Sequence, residues 1–441
     1  MILLYLVGIC LAAEPAALPP SKEGPVIAVD EWKKEIAGLY PELKELYEHL
    51  HSHPELSLAE EQTAARLAKE LRAAGLEVTE RVGGWGVVAV LKNAAGPTVL
   101  VRADMDALPI TEKTGVPYAS QAKVRRADGQ EVGVMHACGH DVNMTCLVGT
   151  ARMLAKHKDR WSGTLVFIGQ PAEEIGAGAR RMLADGLFIR FPKPDLALAL
   201  HCDSRLPHGQ VNYRAGQMQA NVDSVDVTVR GRGGHGAAPQ AAIDPVVIAA
   251  KLILDLQTIA SREIDPLEAA VVTVGSIHGG AKHNIIPGEV KLQLTVRTTN
   301  DKMRDEVLAS IERKAKAAAL SAAAPDPTIK IDRESYTPAL YNDATLAARF
   351  SSLFRRTLGK EQVQERPMSL GGEDFSQFVR AGVPGFYFFL GTVSPERWAE
   401  AKAGGRPLPA THSDAYAPVP QPTIQTGVLA MTLAVLDVVG K

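Results

Sequence analysis

Asp195-Leu196-Ala197-Leu198-Ala199-Leu200-His201 is the run on which the fold turns. Its apolar residues follow one another without polar alternation, as in a strand covered on both faces, and the run ends on an imidazole. Two other stretches behave alike. Residues 98–101 read as a strand leading to Asp104 and Asp106, and residues 164–168 as a strand leading to Glu173 and Glu174. A further strand is expected at 87–91. Upstream, Ser57-Leu58-Ala59-Glu60 has the form of a capping box opening a helix that Gly75 closes, with Ala64, Leu67, Leu71 and Ala74 on one face. Residues 145–154 read as a second helix. Strands alternating with helices predict an α/β fold, in which functional groups collect just beyond the strand C-termini.

Between the first two strand ends lies His136-Ala137-Cys138-Gly139-His140-Asp141. A thiolate and a neutral imidazole two residues apart can face one cation when the backbone turns, and Gly139 permits such a turn. Pro171-Ala172-Glu173-Glu174 adds two carboxylates at the end of a buried strand. Adjacent residues on a turn point in different directions, so one can bind metal while its neighbour holds an attacking water. Metal-assisted hydrolysis needs that division of labour.

From Asn221 the pattern changes to the alternation Ser224-Val225-Asp226-Val227-Thr228-Val229. A helix capped by Asp244-Pro245 follows, then strands at 270–277 and 290–297, a helix from Asp301 and a strand at 328–332. The order βαββαβ is the split ferredoxin-like unit, read as a domain inserted into the first. The α/β pattern resumes with a helix over 343–358, the segment Ser369-Leu370-Gly371-Gly372-Glu373-Asp374, a buried strand at 385–390 and a closing helix after Gln421 that reads as packing rather than a membrane span. The expected division is a leader and linker over 1–25, the first part of a catalytic domain over 26–215, the inserted domain over 216–333, and the second part of the catalytic domain over 334–441.

The chain has 441 residues, enough for two cores, and a net charge of −2 with scattered basic residues. Nothing marks a nucleic-acid footprint or an anionic membrane surface, so a small neutral or acidic solute is the expected partner. Residues 1–13 are an apolar run of signal-peptide length, too short to span a bilayer, which predicts a secreted or periplasmic protein. Removing the leader leaves Cys138, Cys146 and Cys202, an odd set that is no disulfide framework.

Several motifs occur in one register: Arg102-Ala103-Asp104-Met105-Asp106-Ala107-Leu108-Pro109, the 136–141 turn, Gln170-Pro171-Ala172-Glu173-Glu174, Gly233-Gly234-His235-Gly236-Ala237-Ala238-Pro239 and Asn284-Ile285-Ile286-Pro287. Over residues 51–418 the chain resembles the metal-dependent amidohydrolases of the aminoacylase and carboxypeptidase type, especially the branch with hippurate hydrolases and indole-acetyl-amino-acid hydrolases. The resemblance implies a zinc-peptidase-like α/β catalytic domain with a ferredoxin-like lid that dimerises. It implies two divalent metal ions, manganese or zinc before cobalt or nickel, held by Cys138, His140, Glu174, His201 and His412. Glu173 would be the general base, and Asp106 would orient a ligand histidine. His235 would reach the partner subunit's site to stabilise the oxyanion, and Asn284 and Arg297 would hold the substrate carboxylate. The implied reaction is hydrolysis of an N-acyl amino acid by a homodimer, with a dipeptidase or carboxypeptidase on the same scaffold as the alternative, and an inactive solute- or metal-binding relative as the remote one. Two positions depart from the branch. Asn143 stands where a histidine is usual, and Thr411-His412-Ser413-Asp414-Ala415-Tyr416 lacks the acidic residues that commonly follow the histidine.

Overall fold

The computed structural model describes residues 29–125 and 129–441, so the expected leader lies outside the described residues. An eight-stranded sheet has the order Glu77–Val82, Gly86–Asn93, Gly163–Gln170, Thr98–Asp104, Leu196–Pro207, Gly385–Val393, Val211–Tyr213, Val363–Glu365. Its four central strands run parallel. In the Leu196–Pro207 strand alternate residues enter two different cores. Leu196, Leu198 and Leu200 face a core shared with the helices Val29–Ser52, His140–Lys156 and Pro420–Val439, while Ala197 and Ala199 face one with Met182, Phe375 and Phe378. Double coverage explains why the run shows no alternation. Each buried leucine contributes about 1.5–3 kcal/mol of transfer free energy.

Pro420–Val439 is the one helix among the described residues long and apolar enough to cross a membrane, and it lies inside the first core. A side chain at Gly427 would meet Cys146 Sγ at 2.5 Å, so the close approach to His140–Lys156 requires glycine there.

A second, four-stranded sheet is antiparallel throughout, in the order Ala270–His278, Glu289–Thr298, Asn221–Arg230, Thr328–Ile331. This is the ferredoxin-like arrangement. Val225, Val227 and Val229 point into its own core against the helices Pro245–Thr258 and Asp301–Ser321, while Ser224 and Asp226 are exposed. Asp244 caps the first of these helices by accepting from the Val246 amide at 2.9 Å.

Two local expectations fail. The capping box at Ser57–Glu60 does not form: the helix Glu61–Ala73 has no side-chain cap from Glu60. Ser57 Oγ instead donates to Asp106 at 2.6 Å, and Glu55 accepts from the amides of Gln62 and Thr63 at 3.2 and 2.7 Å. Likewise the helix expected over 145–154 begins at His140, straight out of the turn, with Gly139 left-handed at φ 82° as its first flanking residue. Nor did the pattern reading find Val29–Ser52. Trp32, Ile36, Tyr40, Leu43, Leu46 and Leu50 recur at helical spacing there, but Pro41 sits inside it, a residue that argues against a helix interior.

Candidate active site

The C-terminal ends of the parallel strands open into a cleft of about 900 Å³, bounded on its far side by the four-stranded sheet. Cys138, Glu173, Glu174, His201, Arg297 and His412 all line it. The 136–141 turn is tight because Gly139 faces the Leu196–Pro207 strand, and a Cβ there would meet Cys202 at 2.8 Å. His140 Nδ1 donates to the carbonyl oxygen of Asp106 at 2.7 Å. His201 Nδ1 donates to the Cys202 carbonyl at 2.8 Å. Both bonds fix the tautomer, so each Nε2 presents a lone pair to the cleft.

These lone pairs converge. Cys138 Sγ lies 3.5 Å from His201 Nε2 and 3.2 Å from His412 Nε2. His412 Nε2 is 3.4 Å from Glu174 Oε2, and His140 Nε2 is 3.9 Å from both a Glu173 and a Glu174 oxygen. The turn therefore does not splay the two glutamates apart, as the sequence suggests; both reach the same imidazole. Three overlapping triads hold their donor atoms within 4.8 Å of one another: Cys138, His140 and His201; Cys138, Glu174 and His412; His140, Glu173 and Glu174. Two donors, His140 Nε2 and Glu174 Oε1, are buried without a hydrogen-bond partner among the described residues. A buried polar atom without a partner costs about 1–3 kcal/mol, and a divalent cation satisfies such donors. Burial, together with the carboxylates of Glu174 and Glu173, pushes the Cys138 thiol well above its ordinary range, so a thiolate there requires a cation beside it. The residues fit a metal centre.

The Glu173-Glu174 turn is held at three successive amides. Ala172, left-handed at φ 52°, donates to Glu60 at 2.7 Å. The amides of Glu173 and Glu174 donate to the two carboxylate oxygens of Asp106, each at 3.0 Å. Asp106 thus contacts both the histidine and the two glutamates. Its carboxylate, 3.6 Å from His140 Nδ1, fastens the glutamates, and its backbone carbonyl orients the histidine. Burial, followed by the charges of Glu373 and Glu174, raises Glu173 well above the ordinary carboxylate range.

His412 stands on a left-handed residue at φ 66°, and its amide donates to the Ala137 carbonyl at 2.8 Å, which binds its loop to the thiol turn. The acidic residue closest after the histidine, Asp414, is turned to Lys113 at 2.8 Å. Asn143 is buried and donates to Asp104 at 2.8 Å, so it braces the floor of the site.

That floor escaped the sequence reading. Arg102, fully buried, pairs with Asp104 at 2.6 Å, Glu373 at 2.8 Å and Asp374 at 3.1 Å. Tyr387 donates to Glu373 and Gln170 to Asp374. Behind the 136–141 turn, His51 bridges Asp141 at 2.7 Å and Glu112 at 3.1 Å. The available signal was an arginine in an otherwise apolar strand, which must bring its acids with it.

His235 and Asn284 are elsewhere. His235 is in the short strand Gly234–His235 paired with Ile285–Ile286, Asn284 is in the turn before the latter, Gly236 donates to the Asn284 carbonyl at 2.9 Å, and both residues are exposed. The structure therefore separates Asn284 from Arg297, because Arg297 is half-buried near the end of the Glu289–Thr298 strand and faces the cleft.

Thiol, imidazole and carboxylate donors at the edge of a parallel sheet, closed over by a ferredoxin-like domain, define a metallohydrolase. The chain belongs to peptidase family M20/M25/M40, whose profile matches residues 100–403. It is 36% identical over 368 residues to N-acetyl-L-cysteine deacetylase of Bacillus subtilis, covering 82% of this chain and 83% of that one. With IAA-amino acid hydrolase ILR1-like 2 of Arabidopsis thaliana it shares 35% identity over 344 residues, 78% of this chain and 75% of the relative. Among solved structures, YxeP of Bacillus subtilis, a dinuclear metal binding peptidase of family M20, matches with a TM-score of 0.71 at 29% identity, over 92% of this chain and 100% of that one.

Proposed function

We propose that this protein hydrolyses the amide bond of N-acyl amino acids, releasing a carboxylic acid and a free amino acid. The observation that carries the reading is the convergence of Cys138, His140, Glu174, His201 and His412, with Glu173 within 4.8 Å of His140 and Glu174. The relatives named as an N-acetyl-L-cysteine deacetylase and an IAA-amino acid hydrolase support the amide substrate, and YxeP supports two ions. Cys138, His140, Glu174, His201 and His412 would hold two divalent cations; the mixed sulfur, nitrogen and oxygen set suits manganese or zinc, with cobalt or nickel as alternatives. When bound, such ions acidify water and polarise a carbonyl.

The remaining work falls to the chain. Glu173, its amide fixed by Asp106, takes the proton of the attacking water and returns one to the leaving amine. Arg297 has no carboxylate partner among the described contacts and receives the free carboxylate of the substrate, a planar acceptor that a guanidinium matches with two parallel bonds. His235 and Asn284 are exposed on the four-stranded domain and act in the site of a second copy, where His235 stabilises the oxyanion. Dimerisation is supported by that domain's surface. Among the described residues the Ala270–His278 strand is an unpaired edge, and Val246, Val247 and Leu254 are 42%, 51% and 73% exposed on the adjacent helix. Export, argued from the apolar run 1–13, belongs to the same proposal.

Assaying the chelator-stripped and metal-reloaded protein on N-acetyl amino acids, hippurate and dipeptides tests the reading. Metal-dependent turnover of the N-acyl amino acids is expected. Turnover of dipeptides alone would instead make the enzyme a dipeptidase, and no turnover of any amide by metal-loaded protein would refute the reading.

A further inference from the structure

Arg297 accounts for one anion, but the cleft has a second cationic wall. Arg366 lies against the face of Phe389, its guanidinium carbon 4.0 Å from the ring centroid, and that ring stands edge-on to His201 with centroids 6.0 Å apart. One aromatic ring thus separates this guanidinium from a metal donor. The Arg366 side chain is only 11% exposed, and its single acid contact among the described residues is a long one, Nη1 to Asp203 Oδ2 at 3.3 Å. Asp203 is shared. Its other oxygen takes Arg205 Nε at 3.2 Å and the Arg205 amide at 2.9 Å. Two guanidiniums therefore stand over one carboxylate, and all three groups line the cleft. A buried cation that is only half compensated is costly unless the partner it lacks arrives with a ligand.

From this wall we infer that the preferred substrate carries a second carboxylate, bound by Arg366 and Arg205, in addition to the one received by Arg297. This rests on the amidohydrolase reading above and narrows it to dianionic N-acyl amino acids. The second carboxylate belongs either to the side chain of a dicarboxylic amino acid or to a dicarboxylic acyl group. A site built around an ionised acceptor discriminates strongly against a neutral isostere, because the guanidinium is then left unpaired.

The test uses the metal-loaded, full-length protein and two isosteric pairs: N-acetyl-glutamate against N-acetyl-glutamine, and N-succinyl-leucine against N-succinamoyl-leucine. The charged member of at least one pair should be favoured tenfold or more in kcat/KM, and the favoured pair identifies the source of the carboxylate. In Arg366→Met that ratio should collapse towards one, and Arg366→Lys should recover part of it. Should the wild-type protein turn over both members of both pairs equally, the inference fails while the amidohydrolase reading stands. A preference undiminished in a folded Arg366→Met variant likewise overturns the assignment. Absence of turnover on all four compounds overturns this inference, and the amidohydrolase reading falls with it only where hippurate and the other N-acetyl amino acids are also left intact.

Discussion

Arg102 is the residue that ties the floor of the site together, and its replacement should cost more than any surface change. Arg102→Met leaves Asp104, Glu373 and Asp374 buried without their shared cation. A loss of about 3–5 kcal/mol in urea unfolding is expected, the range for breaking a buried pair from one side. His51 gives a pH dependence of known sign. Burial alone would lower it, but the hydrogen bonds to Asp141 and Glu112 raise it from 6.5 to about 9. The protonated form is thus favoured in the folded state, so its contribution is complete below pH 6.5 and disappears as the pH rises through 9. That contribution is roughly 3 kcal/mol. Melting curves from pH 6 to pH 10 should lose this slope in His51→Gln, and an unchanged slope would contradict the assignment. Cys138, His140, Glu173, Glu174 and His201 were legible in the chain because each follows a strand or turn with its own pattern. The role of His412 was carried by family resemblance alone, since nothing local distinguishes it from a surface histidine until the fold sets it 3.2 Å from Cys138 Sγ.

At the scale of elements, periodicity revealed the strands buried on both faces and the βαββαβ order, since both depend on long apolar patterns. Helix starts were less legible, because a cap is a local geometry with several sequence solutions. Ser57-Leu58-Ala59-Glu60 satisfies the capping-box pattern, yet tertiary demands take both side chains: Ser57 for Asp106 and Glu60 for the amide of Ala172. Glu55 caps the helix instead. Glu55→Ala should therefore cost about 1 kcal/mol of stability with little change in kcat. Ser57→Ala should act chiefly on kcat, by loosening the carboxylate that holds the Glu173-Glu174 turn. Stability and steady-state kinetics on the two variants separate these effects; the reverse pattern would restore the capping box.

The whole molecule places catalytic donors on one sheet and an exposed histidine on the other, so a single chain is catalytically incomplete in the proposed scheme. Leu254→Asp combined with Val247→Asp should yield monomers by sedimentation, with activity reduced along with the dimer. Mixing inactive His235→Ala subunits with inactive Glu173→Gln subunits should restore activity at the one intact site of each mixed dimer, and no recovery would place His235 outside the partner's site. The central claim concerns Glu173, which is held among the donors by Asp106 but assigned to the proton rather than to the metal. Its most direct test is kcat measured alongside bound-metal stoichiometry in Glu173→Gln. The account predicts that kcat falls by about 10²–10⁴-fold, the usual contribution of a general base, while metal content is unchanged. Full activity in a metal-replete variant, or loss of metal in step with activity, would contradict it.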